Sequence, residues 1–217
     1  MGYLKQTFVI VAITAFVTIC GVAGYRLFSP QQPKEAMIYP KLRALEAFEL
    51  KVVAEKAFTL ENLKGRWSFL FFGYTYCPDI CPTTMAALKQ MYLLLPPDIQ
   101  SDTQVVLISV DPERDTPEHL AQYAQAFHPD FIGATGNHNQ LSVFTKSFGV
   151  VYYKVGDDKE DYLVDHSSKI FLVDPDGLRH AIFQKSDNAT QGFEYNVQQM
   201  AEDYRIIRQL AEKNKGN

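Results

Sequence analysis

A chain of 217 residues with 47% apolar content has room for one domain with a full core plus an appendage, which argues against a second large domain. The net charge of −4 and the lack of any Lys/Arg cluster interleaved with aromatics argue against a nucleic-acid partner. Three cysteines, one of them inside an apolar run, exclude a disulfide framework and leave a single pair, Cys77 and Cys81, in the water-soluble part.

Residues 8–25 carry no charge, and with Thr7, Leu27 and Phe28 they reach about 30 Å as a helix, the thickness of a bilayer core. Residues 1–28 are therefore expected to be a short tail and an N-terminal transmembrane helix. A cleaved signal peptide is the competing reading, because Gly21-Val22-Ala23 approximates its cleavage site, but the run exceeds the usual apolar region. Ile19 stands where lipid attachment at Cys20 would want a small residue. Lys5 on one side, Arg26 on the other and no Arg-rich transit segment point to a single pass through a bacterial cytoplasmic (inner) membrane, with the domain facing the periplasm.

Residues 29–47, rich in proline as far as Pro40, read as a tether, and 48–217 as the domain. Within it, 48–58 suggests a hairpin, and 67–72 a buried strand closed by Gly73. A helix is predicted over 82–95, stopped by Pro96-Pro97, and a second buried strand over 104–110. Thr116 caps a predicted helix over 117–127, followed by a short strand at 131–134 and a helix over 140–148. A strand at 169–173, a turn at 174–177, a strand at 180–184 and an amphipathic helix over 190–213 complete the chain. Strands and helices alternate early and a hairpin comes late, the pattern of an α/β mixed sheet flanked by helices.

The stretch Tyr74-Thr75-Tyr76-Cys77-Pro78-Asp79-Ile80-Cys81-Pro82 sets each thiol directly ahead of a proline. A residue before proline is pushed out of the helical region, so both cysteines are expected in a loop, with Pro82 as first helical residue. Cys81 then sits at the helix mouth, where the dipole favours a thiolate and lowers its pKa. A rigid helix holds Cβ atoms four positions apart at roughly 5–6 Å, too far for a disulfide at about 3.8 Å. A loop can close to a disulfide or open around a soft metal.

Gly73-Tyr74-Thr75-Tyr76-Cys77-Pro78-Asp79-Ile80-Cys81-Pro82, Val110-Asp111-Pro112-Glu113-Arg114-Asp115-Thr116-Pro117, Val164-Asp165-His166-Ser167 and Leu172-Val173-Asp174-Pro175-Asp176-Gly177 follow one another in an order that resembles the Sco/SenC family. The match covers roughly 48–213 and implies a thioredoxin-like fold. It also implies a membrane-anchored protein assisting assembly of the binuclear copper centre of cytochrome c oxidase, as a copper carrier, as a reductant of the target's cysteines, or both. Cys77, Cys81 and His166 match the family's copper ligands, and Cys77 and Cys81 form a thiol–disulfide pair. The implied partners are the oxidase copper-site subunit and a periplasmic copper donor or thiol reductant.

The chemistry agrees: thiolates select Cu(I), and imidazole tolerates both Cu(I) and Cu(II). A strand beginning near Ser167 and antiparallel to 67–72 would start at the edge where that strand ends, bringing His166 to the cysteine loop. His180 is then expected at the opposite edge, partly exposed, and His119, His128 and His138 as solvated side chains. Asp165 and Asp79 are candidates for orienting the imidazole or tuning the thiols, with exposed or turn-forming carboxylates as the ordinary alternative. Met85 shares helical spacing with Leu88 and Tyr92 and reads as core. The charged loop 111–115 is either a partner contact or a solvated loop.

Other functions use the same residues. A general thiol–disulfide oxidoreductase usually has two residues between its cysteines and a cis-proline opposite; here there are three, and no proline lies between Pro129 and Pro175. A peroxiredoxin has its threonine three residues before the cysteine, whereas Thr75 is two before Cys77. Zinc suits two Cys and one His, and a redox or copper sensor is compatible with the same set.

Overall fold

The computed structural model describes residues 2–28, 31–156, 162–165, 167–190 and 192–215. Helix α1 (Gly2–Phe28) precedes strands β1 (Met37–Ala44), β2 (Glu49–Val52), β3 (Lys56–Thr59) and β4 (Trp67–Gly73). Helices α2 (Ile80–Leu93) and α3 (Pro97–Ser101) lead to β5 (Thr103–Ser109), α4 (Pro117–Phe127), β6 (Ile132–Ala134) and α5 (His138–Phe148). The chain continues through β7 (Tyr153–Val155), β8 (Leu163–Asp165), β9 (Ile170–Val173) and β10 (Leu178–Phe183) to α6 (Val197–Lys215).

Six strands form one mixed sheet in the order β1-β10-β9-β4-β5-β6. β4, β5 and β6 run parallel, and β9 is antiparallel to β4, with Ile170 opposite Phe71. Every residue of β4 and β5 is buried, as expected of central strands covered on both faces. On one face Phe69 meets Tyr204 of α6 with ring centroids 4.8 Å apart. On the other, Phe72 meets Phe144 and Phe148 of α5 at 5.8 and 5.4 Å. The helices thus flank both faces, in the arrangement predicted.

The predicted strands and helices of the core are found with small shifts at their ends. Thr116 caps α4 by accepting the His119 amide at 3.2 Å. The terminal helix starts at Val197, not 190, because the Asn196 side chain accepts the Gln199 amide and ends the preceding turns. Small features escaped the sequence, among them the antiparallel β7–β8 pair and the helix turn α3.

A larger difference lies in the segment read as a tether. Residues 37–44 form β1, an edge strand antiparallel to β10, whose register breaks between Ile38 and Arg43, where Pro40 sits. Proline lacks an amide to donate and is tolerated only at such an edge or bulge, so its presence hid the strand. Just ahead of β1, the fully buried carboxylate of Asp203 on α6 accepts the backbone amides of Lys34, Glu35 and Ala36 at 2.8–2.9 Å. Gln199 donates a fourth bond to it, at 2.8 Å. The sheet, and the chain pinned to it, therefore begin ahead of residue 48.

Among the described residues no helix is long and apolar enough to cross a membrane. The backbone of α1 runs for 27 residues, but side chains are described consecutively only over 10–21, so the predicted span over 8–25 is covered in part.

Candidate metal and thiol centre

β4 ends at Gly73 and delivers the chain into the cysteine loop at the C-terminal edge of the sheet. The loop turns back on itself through the Cys77 amide, which donates to the Tyr74 carbonyl at 3.4 Å. Helix α2 then begins at Ile80, two residues before the predicted start. Cys81 therefore lies in its first turn, not in the loop, and Pro82 is its third residue, where a missing amide is still harmless.

This placement reverses the electrostatics expected of the two sulfurs. The Asp79 side chain makes no capping bond; the Cys81 amide donates instead to Cys77 Sγ at 3.4 Å. The positive end of the helix is thus answered by Cys77, which is half-buried, whereas Cys81 is fully buried. Hydrogen bonding to Cys77, followed by desolvation, pushes the Cys81 thiol well above the ordinary range, where the sequence had suggested a lowered value. Among the described residues neither cysteine is in a disulfide.

Gly73 makes room for the buried sulfur: a Cβ there would lie 2.9 Å from Cys81 Sγ and 3.3 Å from Leu107 Cδ1. Gly73→Ala is therefore expected to displace Cys81 and cost about 1–3 kcal/mol by overpacking, read as a lowered midpoint in urea denaturation with an unchanged slope.

The loop is braced from β5 and the segment after it. Asp115, 1% exposed, accepts the Thr75 amide at 3.0 Å, the Thr75 hydroxyl, and the Ser109 hydroxyl at 2.6 Å. Beside the loop, Tyr123 of α4 buries a hydroxyl with no hydrogen-bond partner among the described residues. Burial first, then the neighbouring acidic groups Cys81, Cys77 and Asp115, push the ionisation of this phenol above the ordinary range. Sequence reasoning missed both residues: Tyr123 has the spacing of a core position, and nothing local links Asp115 to a threonine 40 residues earlier.

A cavity of about 340 Å³ opens beside Cys77, walled by Tyr74, Cys77, Ile80, Val155, Val164 and Asp165. A larger one of about 530 Å³ lies between the β2–β3 hairpin and α4, and its lining contains neither thiol nor imidazole. His166 lies outside the described residues. Its neighbour Asp165 is exposed, lines the cavity beside Cys77 and accepts the Tyr153 hydroxyl at 2.6 Å. Asp79 is exposed at the head of α2.

The remaining histidines differ from one another. His180 is buried, not partly exposed: Asp174 meets its Nδ1 at 3.1 Å and Trp67 packs edge-on at 5.1 Å. His119 is exposed and faces Tyr76 with ring centroids 6.0 Å apart, His128 packs on Tyr92 at 4.8 Å, and exposed His138 lies 3.5 Å from Glu113. Met85 is fully buried in the core, as its spacing suggested. Among the described residues no three His, Cys, Asp or Glu side chains are grouped to hold a metal. Two adjacent soft thiols, one reachable from a cavity, nevertheless fit a soft monovalent cation.

A family model described as SCO1/SenC matches residues 38–202, from β1 into α6. The chain belongs to the SCO1/SenC family. Among its relatives, a putative copper-binding protein of Stutzerimonas stutzeri is 42% identical over 141 residues, 65% of this chain and 69% of that protein. An SCO2-like protein of Rickettsia typhi is 37% identical over 176 residues, covering 77% and 86% of the two chains. Among solved structures, apo Sco1 of Thermus thermophilus superposes with a TM-score of 0.69 at 32% identity, covering 82% of this chain and 98% of that one. Arabidopsis thaliana ScoI, solved with copper bound, gives 0.66 at 33% identity, with 77% and 99% covered. The match beginning at residue 38 agrees with β1 as part of the family's sheet.

Proposed function

We propose that this SCO1/SenC protein carries copper for assembly of the binuclear copper centre of cytochrome c oxidase, holding its cargo on Cys77, Cys81 and His166. The observation that carries the reading is the asymmetric thiol pair, one sulfur buried and one facing a cavity, in a family whose Arabidopsis member has been solved with copper. Thiolates favour Cu(I), the imidazole tolerates Cu(II) as well, and three ligands leave one side open for handover. Loading displaces the thiol protons. A periplasmic copper donor and the oxidase copper-site subunit are the partners of this reading.

We assign α1 as the anchor in the bacterial cytoplasmic membrane, with the domain in the periplasm. Its apolar side chains are exposed all round, from Ile10, Val11 and Ile13 to Phe16, Val17 and Ile19, which water disfavours and lipid does not. The hydroxyls of Thr7, Thr14 and Thr18 donate to the carbonyls four residues earlier, as a lipid-facing helix requires.

The same asymmetry supports a second reading, reduction of the target's cysteines. The Cys77 thiolate would attack the target disulfide, forming a mixed disulfide and freeing one target thiolate. Cys81, deprotonated in turn, would attack Cys77, freeing the second target thiolate and leaving Cys77–Cys81 oxidised, two electrons having passed to the target. A periplasmic reductant would reset the pair.

Anaerobic Cu(I) titration of the reduced full chain in detergent against a chromophoric chelator, beside His166→Ala, separates the two. One copper per chain, weakened by the substitution, is expected. Weak binding unaffected by it would reject the copper-carrying reading and leave the reductase.

A further inference from the structure

The segment between β5 and α4, read from sequence as a solvated loop or a partner contact, is buried at Asp111 and Asp115 and exposed at Glu113. Asp111 is 1% exposed, and Arg114 Nε donates to its Oδ2 at 2.6 Å. The other oxygen, Oδ1, accepts the hydroxyl of buried Tyr162 at 2.6 Å, just ahead of β8. Arg114 Nη2 donates to the Tyr162 carbonyl at 2.9 Å, and its guanidinium lies 3.6 Å from the centre of the Tyr162 ring. The same guanidinium is 4.8 Å from the ring of Tyr76, in the cysteine loop. One planar cation thereby touches three separate pieces of chain, which the fork and flat face of arginine permit and a lysine ammonium does not.

The pieces it joins bound the cavity at Cys77. Asp115, next in sequence, holds Thr75 of the cysteine loop, and the Val164 amide of β8 donates to Tyr74 Oη at 3.2 Å. β8 ends at Asp165 on the cavity wall. We infer that Arg114 is a positioning residue that clamps β8 against the cysteine loop and so sets the geometry in which Cys77 meets its cargo. This rests on the copper-carrying reading above, and its structural half can be tested without copper.

The experiment compares the full chain in detergent with Arg114→Lys and Arg114→Ala. Without copper, hydrogen exchange at the Val164 amide and iodoacetamide alkylation of Cys77 are expected to quicken at least tenfold in Arg114→Lys, while the melting temperature moves little. With copper, Cu(I) affinity is expected to fall about ten- to a hundredfold, the range of residues acting through a ligand's neighbours. Arg114→Lys keeps the charge and tests the fork even if Arg114→Ala fails to fold. Unchanged exchange and alkylation in Arg114→Lys would overturn the clamp. Quickened exchange with unchanged copper affinity would overturn its role toward the cargo. A wild-type chain that binds no copper, with exchange still responding, would uphold the clamp and reject the copper reading.

Discussion

Cys77→Ser and Cys81→Ser are each expected to abolish tight Cu(I) binding, by on the order of a thousandfold or more, beyond the 10–100-fold typical of groups that only support a ligand. Serine replaces a soft donor with a hard one and cannot supply a thiolate. The two variants should part company in stability. Cys81 is fully buried against Gly73, and a serine hydroxyl there costs about 1–3 kcal/mol if it finds no partner. Cys77 is half-buried, and its replacement falls within about 1 kcal/mol, through the weakened bond from the Cys81 amide. Chelator competition and thermal denaturation of the copper-free chains measure the two effects independently. Tight copper binding retained in either variant would show that the pair is not the site.

The second large effect is expected far from the thiols. Asp203→Ala removes the acceptor of three backbone amides, at Lys34, Glu35 and Ala36. The Ala36 amide is buried and the other two partly so, so about 1 kcal/mol or more for each gives a loss of about 3 kcal/mol. For a domain of this size that lowers the melting temperature by about 6–12 °C. Asp203→Asn keeps one acceptor oxygen and should recover part of the loss. A change below about 1 °C in Asp203→Ala would mean that water replaces the carboxylate and that the pin contributes nothing.

The elements that form the sheet's centre were legible because their signals are local. Short apolar runs at 69–72 and 105–108 give β4 and β5, and Thr116 followed by Pro117 gives the start of α4. The thiol pair was legible from its spacing, whereas His166 entered through the family resemblance and the strand expected near Ser167. The sense of the Cys81 shift was not legible, because it depends on which sulfur receives the helix amide, a matter of one turn's geometry. Nor were Arg114 and Asp115: their partners Tyr162 and Thr75 are 48 and 40 residues away, and no periodicity records such a bond. The burial of His180 follows from Asp174 and Trp67 meeting it across the sheet, which a strand pattern alone does not reveal.

The pin at Asp203 also sets a working radius. A tether over 29–47 would stretch about 60 Å, but the chain between Phe28, where α1 ends, and Lys34, where the pin begins, spans at most about 20 Å. If α1 lies in the bilayer as proposed, the pinned end of the domain stays within about 20 Å of the membrane surface, and the domain can swivel but not roam. Confinement of that kind raises the local concentration of an acceptor embedded in the same membrane and lowers that of any acceptor free in the periplasm. On the copper-carrying reading with α1 as anchor, choice among recipients would then rest on a short leash as well as on the chemistry of the sulfurs.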